Sequence, residues 1–205
     1  TYIVQLTVTG LGGCTSIKQT PILIKGPTGT FIYDPITGCN PQRVNFSAKT
    51  SEVSSILWDF NNGTTISTTD STITHTYTYP GFYLPKIILT NKEGCSVPIR
   101  GLDSISIYGV TAHFDFLNKA LCDSGYVQFN DSSLSNDLIT SYNWNFGDHN
   151  ISSVKNPVHY YKANGLYKPY LKITTQFGCV DSIAAPFPVK IVASPQIDMV
   201  TSSNG

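Results

Sequence analysis

Apolar and polar residues alternate with a period of two along short stretches of this chain, the pattern of half-buried β-strands. The stretches 30–33, 43–48, 56–60, 73–77, 83–90 and 104–108 carry it, and 112–116, 126–130, 141–146, 159–161, 167–174 and 189–192 carry it again. Turn formers separate them: Asn61-Asn62-Gly63, Pro80-Gly81, Glu93-Gly94, Asn164-Gly165 and Phe177-Gly178. In Trp58-Asp59-Phe60 and Trp144-Asn145-Phe146 the two aromatics sit two apart. Both therefore face a core while Asp59 and Asn145 face solvent. No stretch has helical periodicity. Six or seven short strands at this spacing predict an all-β chain of immunoglobulin-like β-sandwiches.

One block occurs three times: YIVQLTVTGLGGC (2–14), YLPKIILTNKEGC (83–95) and YKPYLKITTQFGC (167–179). It recurs after 81 residues (2 to 83) and then 84 (83 to 167). That period is too long for a solenoid and fits small independent domains in tandem. Upstream, His75 to Tyr83 answers His159 to Tyr167, and Cys39 to Phe46 answers Cys122 to Phe129. The predicted organisation is the C-terminal part of a repeat at 1–26, whole repeats at 27–109 and 110–193, and the start of a further repeat at 194–205. Short linkers around residues 25–27 and 108–110 would join them end to end.

Composition narrows the function. Lys+Arg and Asp+Glu number 13 each, so no strong field favours nucleic acid or an anionic membrane surface. No apolar run approaches the ~18 residues of a membrane span. Catalysis is not expected. His75 and His159 recur with the fold, which marks them as structural, and no metal-ligand spacing, G-x-S-x-G, Walker loop or HExxH occurs. Calcium is the one cation with candidate donors, at Asp34, Asp115, Asp131 and Asp148, but the Asp-x-Asp-x-Asp ladder is missing and such residues more often cap turns. Tyr79, Phe82, Tyr160 and Tyr170 are the candidate glycan-binding aromatics. Pro85 and Pro169 each lie two residues after the block's Tyr and cannot donate to a ladder, so a strand start or bulge is expected there.

The motif residues also carry a resemblance. Trp58, Phe60, His75, Tyr77, Gly81 and Tyr83, repeated as Trp144, Phe146, His159, Tyr161, Gly165 and Tyr167, and each followed by Gly-Cys, resemble the polycystic kidney disease (PKD) domain pattern WDFGDG, HxY, GxY. The chain departs from that pattern at Asn61-Asn62, Asn145 and His149. The resemblance implies PKD-type sandwiches in a large bacterial surface adhesin or secreted protein exported by a type IX system. It implies a non-enzymatic extracellular stalk that spaces or presents other domains, with neighbouring repeats as partners and no cofactor. The alternative is a module binding surface polysaccharide or protein. It further implies O-glycosylation of Asp-Ser/Thr motifs at Ser71, Ser104 and Ser182. Asn45, Asn62, Asn130 and Asn150 are N-glycosylation sequons, relevant only in a host that uses them.

Five cysteines in this setting argue for disulfides. The simplest pairing is within repeats, Cys39 with Cys95 and Cys122 with Cys179. In an immunoglobulin arrangement, however, the start of the second strand and the end of the sixth are separated by a strand length of roughly 17–20 Å. A disulfide needs Cα atoms within about 7 Å. The favoured bond is therefore Cys39–Cys179 between repeats, with the partners of Cys14, Cys95 and Cys122 outside the sequence.

Overall fold

The computed structural model describes residues 2–22, 25–117 and 120–196. Among these residues all regular elements are strands. A first hairpin pairs β1 (Tyr2–Thr9) with β2 (Thr15–Ile22). The first repeat then runs β3 (Thr28–Asp34), β4 (Thr37–Cys39), β5 (Gln42–Ser51), β6 (Ser55–Asp59), β7 (Thr65–Thr68), β8 (Thr72–Tyr77), β9 (Gly81–Tyr83), β10 (Lys86–Thr90), β11 (Ser96–Arg100) and β12 (Ile105–Tyr108). The second runs β13 (Val110–Thr111), β14 (Phe114–Phe116), β15 (Leu121–Cys122), β16 (Gly125–Asp131), β17 (Leu134–Ser135), β18 (Ile139–Asn145), β19 (Ile151–Ser152), β20 (Val158–Tyr161), β21 (Gly165–Tyr167), β22 (Tyr170–Thr175), β23 (Val180–Ala184) and β24 (Val189–Val192). Of the further repeat expected at 194–205, residues 197–205 lie outside the described residues.

The chain divides into two compact units: Thr1–Ile36, Arg43–His75 and Tyr83–Ile105 in one, and Thr37–Gln42, Thr76–Phe82 and Ser106–Gly205 in the other. In the first unit β11-β10-β6-β7 form one sheet, with Ile87 opposite Trp58 and Leu89 opposite Ile56. The β3–β5 pair supplies Phe31, Val44, Phe46 and Ala48, all buried. Burial alternates along β5 and β6, as the period-two pattern requires. Phe46 meets Trp58 and Phe60 edge-on at 6.0 and 5.1 Å, an arrangement favoured by the ring quadrupoles. In the second unit the corresponding sheet is β19-β18-β22-β23. Its core gathers Phe114, Val127, Phe129, Trp144, Phe146, Tyr161, Leu171 and Ile173.

The expected continuous strands 83–90 and 167–174 are each two strands. β21 pairs with β24, whereas β22 pairs with β18 and β23. The chain changes sheet at the buried residue Pro169, whose carbonyl accepts the Ala185 N–H at 2.7 Å. Pro85 occupies the same gap between β9 and β10, and its carbonyl accepts the Gly101 N–H at 2.8 Å. Proline fits a crossover because the missing N–H is the one that would lack a ladder partner. At this point the first block has Val4, and β1 runs through it unbroken, with Val4 opposite Thr20.

Candidate functional site

Two features repeat closely enough to define what the chain builds: the turn after each tryptophan strand, and the setting of the cysteines. In the first unit the Asp59 carboxylate accepts the Asn61 N–H at 2.9 Å, the Asn62 side-chain Oδ1 accepts the Thr64 N–H at 3.2 Å, and the Phe60 N–H reaches Thr64 O at 3.2 Å. In the second, Asn145 accepts from Gly147 at 2.9 Å, Asp148 from the Asn150 N–H at 3.1 Å, and the Phe146 N–H reaches Asn150 O at 3.1 Å. Asn and Asp serve equally as acceptors in such turns, so the exchange of Asp for Asn between repeats leaves the backbone unchanged. Two positions in each turn have positive φ: Asn61 (59°) and Gly63 (89°), then Gly147 (85°) and His149 (71°). Each turn thus keeps one glycine and seats a side chain at the other left-handed position.

The turn holds the recurrent histidine. The His75 ring stacks on Phe60 at 4.0 Å and 3°, and His159 on Phe146 at 4.1 Å and 4°. His75 Nε2 lies 2.9 Å from the Asn62 amide, while His159 Nε2 lies 2.8 Å from Asp148 Oδ2. Burial holds His75 below the ordinary imidazole range. Burial opposes ionisation of Asp148, yet hydrogen bonds from Asn150 and His159 outweigh it and hold its carboxyl below the usual range. Tyr161 is fully buried and donates to Phe146 O at 2.9 Å. Burial, reinforced by the Asp148 charge, pushes its phenol far up. These groups interlock a turn with a neighbouring strand.

Cys39 and Cys179 are joined by a disulfide, S–S 2.02 Å and Cα–Cα 5.5 Å. Both lie in the second unit, which takes in β4. Cys39 is placed by β4, which lies parallel to β12 with Cys39 opposite Tyr108. Tyr108 stacks on Phe177 at 3.9 Å and 8°. The Asn136 amide accepts the Gly109 N–H at 2.9 Å and donates to Ile107 O at 3.0 Å. Cys14, Cys95 and Cys122 are free and exposed.

The candidate calcium donors are dispersed. Asp115 accepts from Asn130 at 3.1 Å, Asp131 caps Ser133 and faces Lys155 at 3.8 Å, and Asp148 serves His159. Among the described residues no three His, Cys, Asp or Glu side chains gather as a metal site would require. Tyr79 and Phe82 are well exposed, Tyr160 and Tyr170 less so. Sequence reasoning missed Tyr126, which meets Tyr160 at 4.7 Å with the rings tilted by 43°. Its outward position in the alternation of β16 was the available signal. Ser71, Ser104 and Ser182 are exposed.

A PKD domain family description matches residues 26–104 and 114–191, well over half of the 205 residues, and the chain belongs to that family. The fold resembles the PKD1 domain of Vibrio anguillarum Epp, with 24% identity, TM-score 0.36, and coverage of 40% of this chain and 94% of that one. It also resembles the PKD1 domain of the Vibrio cholerae metalloprotease PrtV, with 26% identity, TM-score 0.35, and coverage of 40% and 94%. The mouse nectin-like molecule 4 ectodomain aligns over 85% of this chain and 67% of its own, at 9% identity and TM-score 0.43. Among curated proteins none matches the chain.

Proposed function

We propose that the chain is a non-enzymatic structural segment of a surface or secreted protein, in which tandem PKD domains space or present other parts of the polypeptide. The observation that carries this reading is the Cys39–Cys179 bond, because it ties the first family-matched stretch to the second. A bond of that kind suits an oxidising compartment and a part whose task is to hold its shape. The histidines that would be the first candidates for chemistry are spent on stacking and turn contacts. Export by a type IX system, an adhesin as parent, and O-glycosylation of Ser71, Ser104 and Ser182 belong to the same proposal and follow from the family resemblance.

A second reading, direct binding of a polysaccharide or protein, is favoured by the exposed Tyr126–Tyr160 pair. The first repeat has Arg43 and Thr76 at these positions, so any such platform belongs to one repeat alone. The proposal is tested by labelling intact source cells and their medium with an antibody against the chain. Signal on the surface or in the medium is expected, and a purely cytosolic protein would contradict it.

A further inference from the structure

We infer that Cys122 and Cys95 are the complementary open halves of the joint that Cys39 and Cys179 have already closed, and that a second copy of this chain supplies the missing partner of each. This rests on the array proposed above.

Cys122 ends β15, parallel to β24 with Cys122 opposite Val192, and the next residue, Asp123, donates its N–H to Val192 O at 2.7 Å. Cys39 ends β4, parallel to β12 and opposite Tyr108, and Asn40 donates to Tyr108 O at 2.8 Å. The two early cysteines are therefore presented by the same short parallel ladder, one bonded and one exposed.

The receiving half repeats as well. At Cys179 the Thr175 N–H reaches Cys179 O at 2.9 Å, Thr175 Oγ1 accepts the Cys179 N–H at 3.2 Å, and Gly178 has φ 82°. At Cys95 the Asn91 N–H reaches Cys95 O at 3.0 Å, Asn91 Oδ1 accepts the Cys95 N–H at 2.8 Å, and Gly94 has φ 83°. The bonded Cys179 is buried, whereas Cys95 is exposed beside an open groove lined by Glu52, Val53, Asn91 and Glu93. In the closed joint Asn136 holds the 107–109 segment, accepting from Gly109 and donating to Ile107. The open groove beside Cys95 leaves room for the corresponding segment of the second copy.

The chemistry needs an oxidant, and a small-molecule disulfide such as oxidised glutathione suffices. The Cys122 thiolate attacks it, forms a mixed disulfide and expels one thiolate. The Cys95 thiolate of the second copy then attacks the Cys122 sulfur and expels the other. Two protein thiols lose two electrons and two protons, and the oxidant becomes two thiols. No ring stack reinforces this joint, since Val192 and Glu93 stand where Tyr108 and Phe177 meet in the closed one. The disulfide therefore carries more of this joint than of the closed one.

The test mixes two full-length variants in oxidised glutathione: Cys14→Ser with Cys95→Ser, whose only free thiol is Cys122, and Cys14→Ser with Cys122→Ser, whose only free thiol is Cys95. Peptide mapping of the retained Cys39–Cys179 bond confirms that both are folded. The expected product is a Cys122–Cys95 heterodimer, several-fold in excess of either homodimer and cleaved by reductant. A statistical mixture of heterodimer and homodimers, a dominant homodimer, or chains that only acquire glutathione would each overturn the inference. Any of those results would leave the array itself standing, because the closed joint would remain intact.

Discussion

His149 holds a left-handed backbone, and a φ of 71° costs a non-glycine residue about 1–2 kcal/mol. His149→Gly should therefore stabilise the second unit by about 1 kcal/mol in urea unfolding. Gly147→Ala should do the reverse, because its φ is 85° and a Cβ there would come within 2.7 Å of the Lys168 backbone nitrogen. Equal effects of the two changes would contradict this account of the turn. The tryptophans differ in a comparable way. Trp144 Nε1 donates to Val154 O at 2.9 Å, whereas Trp58 Nε1 is buried without a partner. Trp144→Phe should thus cost about 1 kcal/mol more than Trp58→Phe, the net worth of one hydrogen bond, as read from paired chemical denaturation. A third contrast lies at the histidines. Because burial lowers the folded pKa of His75, the unfolded chain takes up the proton first as pH falls below about 6.5. The stability of the first unit should decline from there until the folded value is passed. Asn62→Asp would set a carboxylate where the amide now lies 2.9 Å from Nε2 and should flatten that decline. An unchanged pH profile in the variant would argue against it. At this scale the sequence spoke clearly about the aromatics, whose two-residue spacing forced them inward. It was silent on the histidine partners, because Asn62 and Asp148 meet their rings only after the turn has folded.

The elements show where alternation suffices and where it fails. Strands β5, β6, β16 and β18 carry the period-two pattern that predicts them. β10–β11 and β22–β23 close on equivalent pairs, Thr90 opposite Ser96 and Thr174 opposite Val180, and β1–β2 closes likewise on Thr9 and Thr15. The outer partners β11 and β23 escaped the pattern because they are mostly exposed or half-buried, and β11 carries Pro98. β4 and β15, three and two residues long, are too short to show any period, yet they place Cys39 and Cys122. The sheet change was hidden for another reason, since alternation runs on through Pro85 and Pro169 while the hydrogen-bond partner switches. Pro85→Ala and Pro169→Ala should each destabilise the chain by about 1–3 kcal/mol, because each adds an N–H at a buried gap between two ladders. Thermal unfolding at or above the wild-type midpoint for both variants would contradict the crossover role.

For the molecule as a whole, what matters is which residues the disulfide encloses. Val44, Phe46, Trp58, Phe60, Ile87 and Leu89 of one core, and Val127, Phe129, Trp144, Phe146, Leu171 and Ile173 of the other, all lie between Cys39 and Cys179 in sequence. A tension applied to the ends of the chain therefore passes across the sulfur bridge, and the enclosed residues add nothing to its extension. That is the property a spacer requires. The repeat period and the cysteine count hinted at it, but neither revealed the stacked Tyr108 and Phe177 beside the bridge. Single-molecule extension of the full chain, pulled from its termini with and without reductant, reads this property. The bridge spans a sequence separation of 140 residues, so at about 3.3–3.6 Å per residue reduction should lengthen the fully unfolded chain by about 460–500 Å. The same contour length in both states would contradict it.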